Sequence, residues 1–177
     1  STLSDSDWRK LRGTEISMIF QNPSAYLNPN RTVENHFKDL FRAHGESYDV
    51  SRVMDMLNLV HLTDGERILQ SYPFQLSGGM QQRLAIALSL ILKPTIVFAD
   101  EPTSALDILV QASVLDLLRE VTQALGATVI IVTHNIKAAA RIAHSIGVMN
   151  KGQLVEVGST EEVMACPKDE YTRILLD

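Results

Sequence analysis

The sequence predicts an α/β protein: a parallel sheet with an inserted helical subdomain. Three observations carry that prediction. Short β-branched runs recur at 15–20 (EISMIF), 95–99 (TIVFA), 128–132 (TVIIV) and 145–149 (SIGVM). The middle two are almost wholly apolar, as expected of parallel strands covered on both faces. Between them, 107–125 has a helical period, with Val110, Val114, Leu117, Leu118 and Val121 on one face. By contrast, the stretch from about Arg31 to Leu92 holds no strand pattern, and Val53, Met56, Leu57 and Val60 follow helical spacing.

The elements follow in order. The run at 15–20 is a first strand, and the helical stretch after it is an insertion. Strand 95–99, helix 107–125 and strand 128–132 form a right-handed βαβ unit, with Gly126 as the helix stop. Residues 152–157 pair back onto 146–149 around Asn150, Lys151 and Gly152. Ser159 and Glu162 have the spacing of a capping box that opens a short helix.

Composition narrows the function classes. The chain has 177 residues, 45% hydrophobic and 21% charged, as in an ordinary globular domain with a core of useful size. A net charge of −5 gives no general attraction to nucleic acid or anionic lipid. The single Cys166 excludes an internal disulfide and suits a reducing compartment, where it reads as a structural or surface thiol. No apolar run approaches the ~18–20 residues of a membrane span, and the polar residues 1–12 carry no signal core. Any membrane connection is therefore expected to run through a protein partner.

The most specific stretch is Leu76-Ser77-Gly78-Gly79-Met80-Gln81-Gln82-Arg83, followed by a helix-forming run. Adjacent glycines let the backbone approach a ligand without Cβ interference. A helix beginning just after them aims free N–H groups and its positive end at an anion, and Ser77 adds a hydroxyl. Ser-Gly-Gly alone would read as a turn; the full eight residues are what point to an anion site. Next, the apolar run 95–99 ends in Asp100, Glu101 and Pro102. Strand ends of α/β sheets open onto the ligand crevice. There Asp100 suits a hard Mg²⁺ ion, mostly through water, and Glu101 suits polarisation of an attacking water. An acidic strand-end turn is the plainer alternative.

Three weaker stretches gain weight from company. Phe20-Gln21-Asn22-Pro23 follows the first strand, and Gln21 offers both an amide oxygen and an NH₂ group to a metal ion or water; alone it is an ordinary turn. Thr133-His134-Asn135 follows strand 128–132, and His134 can donate to a phosphate oxygen. Ser104-Ala105-Leu106-Asp107 follows the carboxylate pair, with Asp107 also placed to cap the next helix.

Taken together in this order, the five stretches resemble the nucleotide-binding subunits of ATP-binding-cassette (ABC) transporters, over essentially the whole chain. The resemblance implies an incomplete P-loop NTPase (RecA-like) parallel sheet with an inserted helical subdomain. It also implies ATP and Mg²⁺ as cofactors. Gln21 is similar to the Q-loop glutamine, which also meets the metal, and Asp100 to the metal-holding Walker B aspartate. Glu101 is similar to the catalytic base and His134 to the switch histidine. Ser77, Gly78, Gly79, Met80 and Gln81 resemble the signature that binds the nucleotide of the opposite subunit. Asp107, with Ser104, resembles the D-loop. On this reading 1–29 is the first part of the ATPase core, 30–92 the helical subdomain ending in the signature helix, and 93–177 the remainder of the core.

Finer features are similar to the oligopeptide, dipeptide and nickel importer branch: Phe20-Gln21-Asn22-Pro23 with Leu27-Asn28-Pro29, Tyr72-Pro73, Thr103 to Asp107, and Pro167 with 171–176. The implied partners are a second ATPase subunit, transmembrane permease subunits and, indirectly, a solute-binding protein, with no nucleic acid. The implied place is the cytoplasmic face of a membrane. A nucleic-acid or ribosome-acting relative is the alternative, though no heptad insertion or second signature supports it.

One departure is large. No glycine in this chain is followed by lysine, so the Gly-x-x-x-x-Gly-Lys-Ser/Thr loop that cradles phosphates is absent. The chain opens where the family is already past that loop. The expectation is therefore a truncated, inactive fragment whose incomplete sheet leaves a strand edge open to another copy. Asn135 stands where the family more often has Asp.

Overall fold

A computed structural model describes residues 4–104 and 106–176. The chain divides into two compact units, Ser1–Val132 and Thr133–Asp177.

In the first unit, helix α1 (Asp5–Leu11) precedes strand β1 (Ile16–Ile19). Ser4 and Asp7 cap each other at its start; these polar residues gave no periodic signal. Three helices follow: α2 (Val33–Ala43), α3 (Val50–Leu59) and α4 (Gly65–Gln70). Thr32 caps α2 and Asp49 caps α3 by accepting a backbone N–H. Helix α5 (Gly78–Leu90) leads to strand β2 (Ile96–Asp100), helix α6 (Ile108–Leu125) and strand β3 (Thr128–Val132). The helical reading of 31–92 thus holds, and α6 ends where expected, on Gly126 in the left-handed conformation at φ +68°.

The sheet order is β1-β2-β3, all parallel, with Ile19 level with Ala99 and Ala99 level with Ile131. One face is buried: Ile19, Val97 and Ala99 join Leu84, Leu90, Val114, Leu117, Leu118 and Val121 from α5 and α6 in a single core. Each such side chain contributes on the order of 1.5–3 kcal/mol by leaving water.

The expectation of strands covered on both faces fails. Met18, Phe98 and Ile130 stand level across the three strands and are 42%, 37% and 44% exposed. Helices α5 and α6 both pack on the opposite face, so the face that carries Met18, Phe98 and Ile130 stays partly open in this unit despite the apolar composition of β2 and β3.

In the second unit, helix α7 (Ile136–Ile142) precedes strands β4 (Ser145–Asn150) and β5 (Gln153–Ser159). The two strands form an antiparallel hairpin. Lys151 and Gly152, both at positive φ, close its two-residue turn. Helices α8 (Thr160–Ala165) and α9 (Glu170–Leu176) complete the unit, and the Ser159–Glu162 capping box forms as its spacing predicted. Ile136, Ile146, Val148 and Val163 make a small core of their own.

Candidate functional site

Because β1 and β2 run parallel and Ile19 is level with Ala99, Gln21 and Glu101 each follow just beyond the carboxyl end of their strand. The carboxylates of Asp100 and Glu101 and the amide of Gln21 therefore lie at one end of the sheet, the carboxyl end where α/β folds place ligands. Gln21 is exposed, while Asp100 and Glu101 are half-buried.

Glu101 has φ +45°, a left-handed conformation that a residue with a Cβ rarely adopts. Two contacts hold it there. Its N–H donates to the Val132 carbonyl at 2.8 Å, and its own carbonyl accepts from the Ser104 N–H and hydroxyl, each at 3.2 Å. Such strain costs of order 1–3 kcal/mol and persists only where its surroundings enforce it. Ser104 escaped the sequence reading as a support for Glu101; the signal was a serine three residues on, in a turn that cannot continue the strand.

At α5, Ser77 is the N-cap, accepting the Met80 N–H at 3.3 Å. That leaves the N–H groups of the first turn, those of Gly78 and Gly79, at the exposed helix end. The glycines also answer a packing need. A Cβ on Gly79 would lie 3.3 Å from Val110 Cγ1, and one on Gly78 3.7 Å from Leu106 Cδ2. The start of α5 thus abuts the start of α6. Met80 packs against the core. Gln81 spends its amide on the chain, donating to the carbonyls of Pro73 at 2.9 Å and Leu76 at 3.1 Å. Neighbouring Gln82 is 1% exposed with its Nε2 unpaired, a feature that helical periodicity does not reveal.

Asp107 caps α6, its Oδ1 accepting the Val110 N–H at 3.0 Å. Ala105, part of the same predicted segment, lies outside the described residues. His134 follows β3 by two residues, exposed, and belongs to the second unit. Asn135 caps α7 through its Oδ1, so the asparagine serves as well as an aspartate would at that cap.

As a metal site, Asp100 and Glu101 offer adjacent hard oxygens. Among the described residues, no group of three or more His, Cys, Asp or Glu converges as a set of ligands. The residues fit an ion held by one carboxylate with water and ligand phosphates, the habit of Mg²⁺, rather than an all-protein cage. No helix among the described residues is long and apolar enough to cross a membrane.

A parallel sheet with this carboxylate end, a capped glycine helix and a helical insertion defines the P-loop NTPase type of α/β core. Solved structures agree. CbiO1 of Clostridium perfringens, part of the ABC transporter complex CbiONQ, superposes with a TM-score of 0.78 and 30% identity, covering 97% of this chain and 65% of that one. The ATP-binding cassette MJ0796, a dimer in a post-hydrolysis state bound to ADP and Pi, gives 0.74 and 30%, covering 90% of this chain and 68% of that one.

The family described as "ABC transporter" matches residues 1–104, and the chain belongs to that family. Among curated relatives, the dipeptide transport ATP-binding protein DppD of Caldanaerobacter subterraneus subsp. tengcongensis is 42% identical over 99% of this chain and 55% of its own length. DppD of Bacillus subtilis is 41% identical over 98% of this chain and 53% of its own. The glutathione import ATP-binding protein GsiA of Salmonella typhimurium is 41% identical over 99% of this chain and 29% of its own. The chain spans about half the length of the two DppD relatives.

Proposed function

We propose that this chain is part of the ATP-hydrolysing subunit of an importer for peptides or a related small solute. The observation that carries the reading is Glu101. It is a half-buried residue held in left-handed backbone at the carboxyl end of a parallel strand, the same end at which Gln21 follows β1. Glu101 is the base that polarises the attacking water, and Ser104 and Val132 hold its backbone so that the carboxylate stays put. Asp100, with Gln21, would hold Mg²⁺ mainly through water, and that ion neutralises phosphate charge when bound. His134 donates to a phosphate oxygen. The start of α5, from Ser77 to Gln81, is presented with Asp107 to nucleotide on a second ATPase subunit, its helix-end N–H groups meeting the terminal phosphate.

The importer reading is supported by the dipeptide and glutathione relatives. Permease subunits would anchor the assembly at the cytoplasmic face of a membrane, with a solute-binding protein delivering cargo. The organisation into 1–29, 30–92 and 93–177 follows the motifs, whereas the compact units divide after Val132.

The 177 residues alone are a poor ATP site, because no glycine is followed by lysine and the strand-end groups Asp100 and Glu101 are themselves anionic. Two measurements test this. Calorimetry of the 177-residue chain with Mg-ATP should give no micromolar binding. A chimera joining the chain to the Gly-x-x-x-x-Gly-Lys-Ser segment of a family member should hydrolyse ATP and lose at least about 100-fold in turnover on Glu101→Gln. Turnover that survives the substitution removes Glu101 from its role.

A further inference from the structure

Just ahead of α5 the chain makes a 3₁₀ turn, Pro73–Gln75, and then runs extended through Leu76 (φ −97°, ψ 143°) and Ser77 (φ −63°, ψ 160°) into the helix. An extended entry has no helical ladder of its own, so its carbonyls need partners from elsewhere. Gln81 supplies them. Its Nε2 donates to the Pro73 carbonyl at 2.9 Å and to the Leu76 carbonyl at 3.1 Å, which uses both N–H groups of the amide. The turn is closed from within as well. The Leu76 N–H donates to the same Pro73 carbonyl at 3.1 Å, and the Tyr72 N–H to Gln75 Oε1 at 2.8 Å.

The reach follows from helix geometry. Gln81 stands about one turn after Ser77, and helical side chains lean towards the helix start. A glutamine at this position therefore extends back over the residues that enter the helix. What it holds there matters for Ser77. The Leu76 carbonyl and the Ser77 N–H belong to one planar peptide unit, so a bond that fixes the Leu76 oxygen fixes the plane from which Ser77 hangs. The Ser77 hydroxyl is then left with χ1 alone, and its cap on the Met80 N–H at 3.3 Å sets that angle.

We propose that Gln81 is the positioning residue of Ser77: it bears on the partner's nucleotide through that serine and makes no contact of its own with the phosphates. The proposal rests on the ATPase reading above for what Ser77 meets. The chemistry of the amide argues against a direct role. With both N–H donors committed to carbonyls, Gln81 has only the lone pairs of Oε1 to offer, and an acceptor oxygen is the wrong partner for a phosphate. Every bond in this arrangement is made between Tyr72 and Gln81, so it does not depend on what else covers the start of α5.

Hydrogen exchange and a double-mutant cycle test it. In the 177-residue chain, Gln81→Met removes both donors at similar volume. Protection of the Leu76 and Met80 amides, each taken against its intrinsic rate, should fall at least about fivefold more than that of the middle of α6. Gln81→Lys, which keeps N–H donors on a long stem, should restore most of it. In the ATP-hydrolysing chimera, Ser77→Ala and Gln81→Met should each lower turnover about tenfold, and the double variant should be no slower than Ser77→Ala alone. Protection that falls no more than that of α6 overturns the proposal. So do losses that multiply to about 100-fold in the double variant, since Gln81 then meets the nucleotide independently of Ser77. The exchange measurement needs no nucleotide. A chimera without turnover therefore counts against the ATPase reading alone, and amide protection still decides whether Gln81 holds Ser77.

Discussion

The backbone N–H of Glu101 reaches across to the carbonyl of Val132 at 2.8 Å, tying the residue after β2 to the last residue of β3. That bond helps hold Glu101 at φ +45°, so the carboxylate's position is bought with conformational strain. Strain and chemistry can be separated. Glu101→Gly relieves the left-handed penalty and should raise the unfolding free energy of the 177-residue chain, read from urea denaturation, by up to about 1 kcal/mol. Glu101→Gln, with the same backbone penalty, should leave stability within about 0.5 kcal/mol. Equal midpoints for Gly and Gln would show that the backbone is not strained there.

Asp107 serves as a cap whatever its part in a partner contact. Asp107→Ala should cost about 1 kcal/mol of stability by leaving the Val110 N–H unpaired. Asp107→Asn should restore most of it, as read by thermal unfolding. A dimeric ATPase chimera in which Asn restores stability but not turnover would separate the cap from the contact.

Gln82 is the one polar side chain of α5 wholly sealed in the core with an unpaired amide nitrogen. Burying an unsatisfied donor costs about 1–3 kcal/mol. Gln82→Met, similar in volume, should therefore stabilise the chain by about 1 kcal/mol or more in chemical denaturation. A loss of stability would mean that the amide is paired in solution.

In the second unit, Glu156 accepts the backbone N–H of Lys168 at 2.9 Å and of Asp169 at 3.1 Å, pinning the segment before α9. The Lys168 N–H is the largest cause that holds the Glu156 carboxyl below its ordinary value of 4.5, and the Asp169 N–H is a lesser one. A depressed folded value means that this contribution is complete above about pH 4.5 and is lost as pH falls through the folded value. Protection factors over 167–176, each taken against the intrinsic exchange rate at the same pH, should fall in that acid range for the native chain. Glu156→Gln should show lower protection already at neutral pH, with little further fall in acid.

Much of this was legible from particular residues. The capping box at Ser159, the stop at Gly126 and the apolar face of α6 are local signals, and each appears where its spacing placed it. The helical insertion was equally plain from period alone. What could not be read was anything set by contacts distant in sequence. That the Gln81 NH₂ donates to Pro73 and Leu76 was not to be seen in the motif that contains it. Nor was the packing reason for Gly79, where a Cβ would lie 3.3 Å from Val110 Cγ1. The apolar runs of β2 and β3 promised two covered faces, and in this unit only one is covered. Composition records what a strand is suited to bury, and only the packing shows what is there to bury it.

Helix α5 is a 13-residue bar, about 20 Å long, moored at several heights. Near its start Gln81 grips the Pro73–Leu76 turn, and Arg83 Nη1 donates to the Val60 carbonyl at 3.1 Å. Towards its far end the Ser89 hydroxyl donates to the carbonyl of Met18, three residues before Gln21, at 3.1 Å. One rigid element thus bears both the glycine end and a tie to the strand that leads to Gln21. Were the bar to tilt at Ser77, the lever would reach the glutamine through Met18, and the two ends would share a clock.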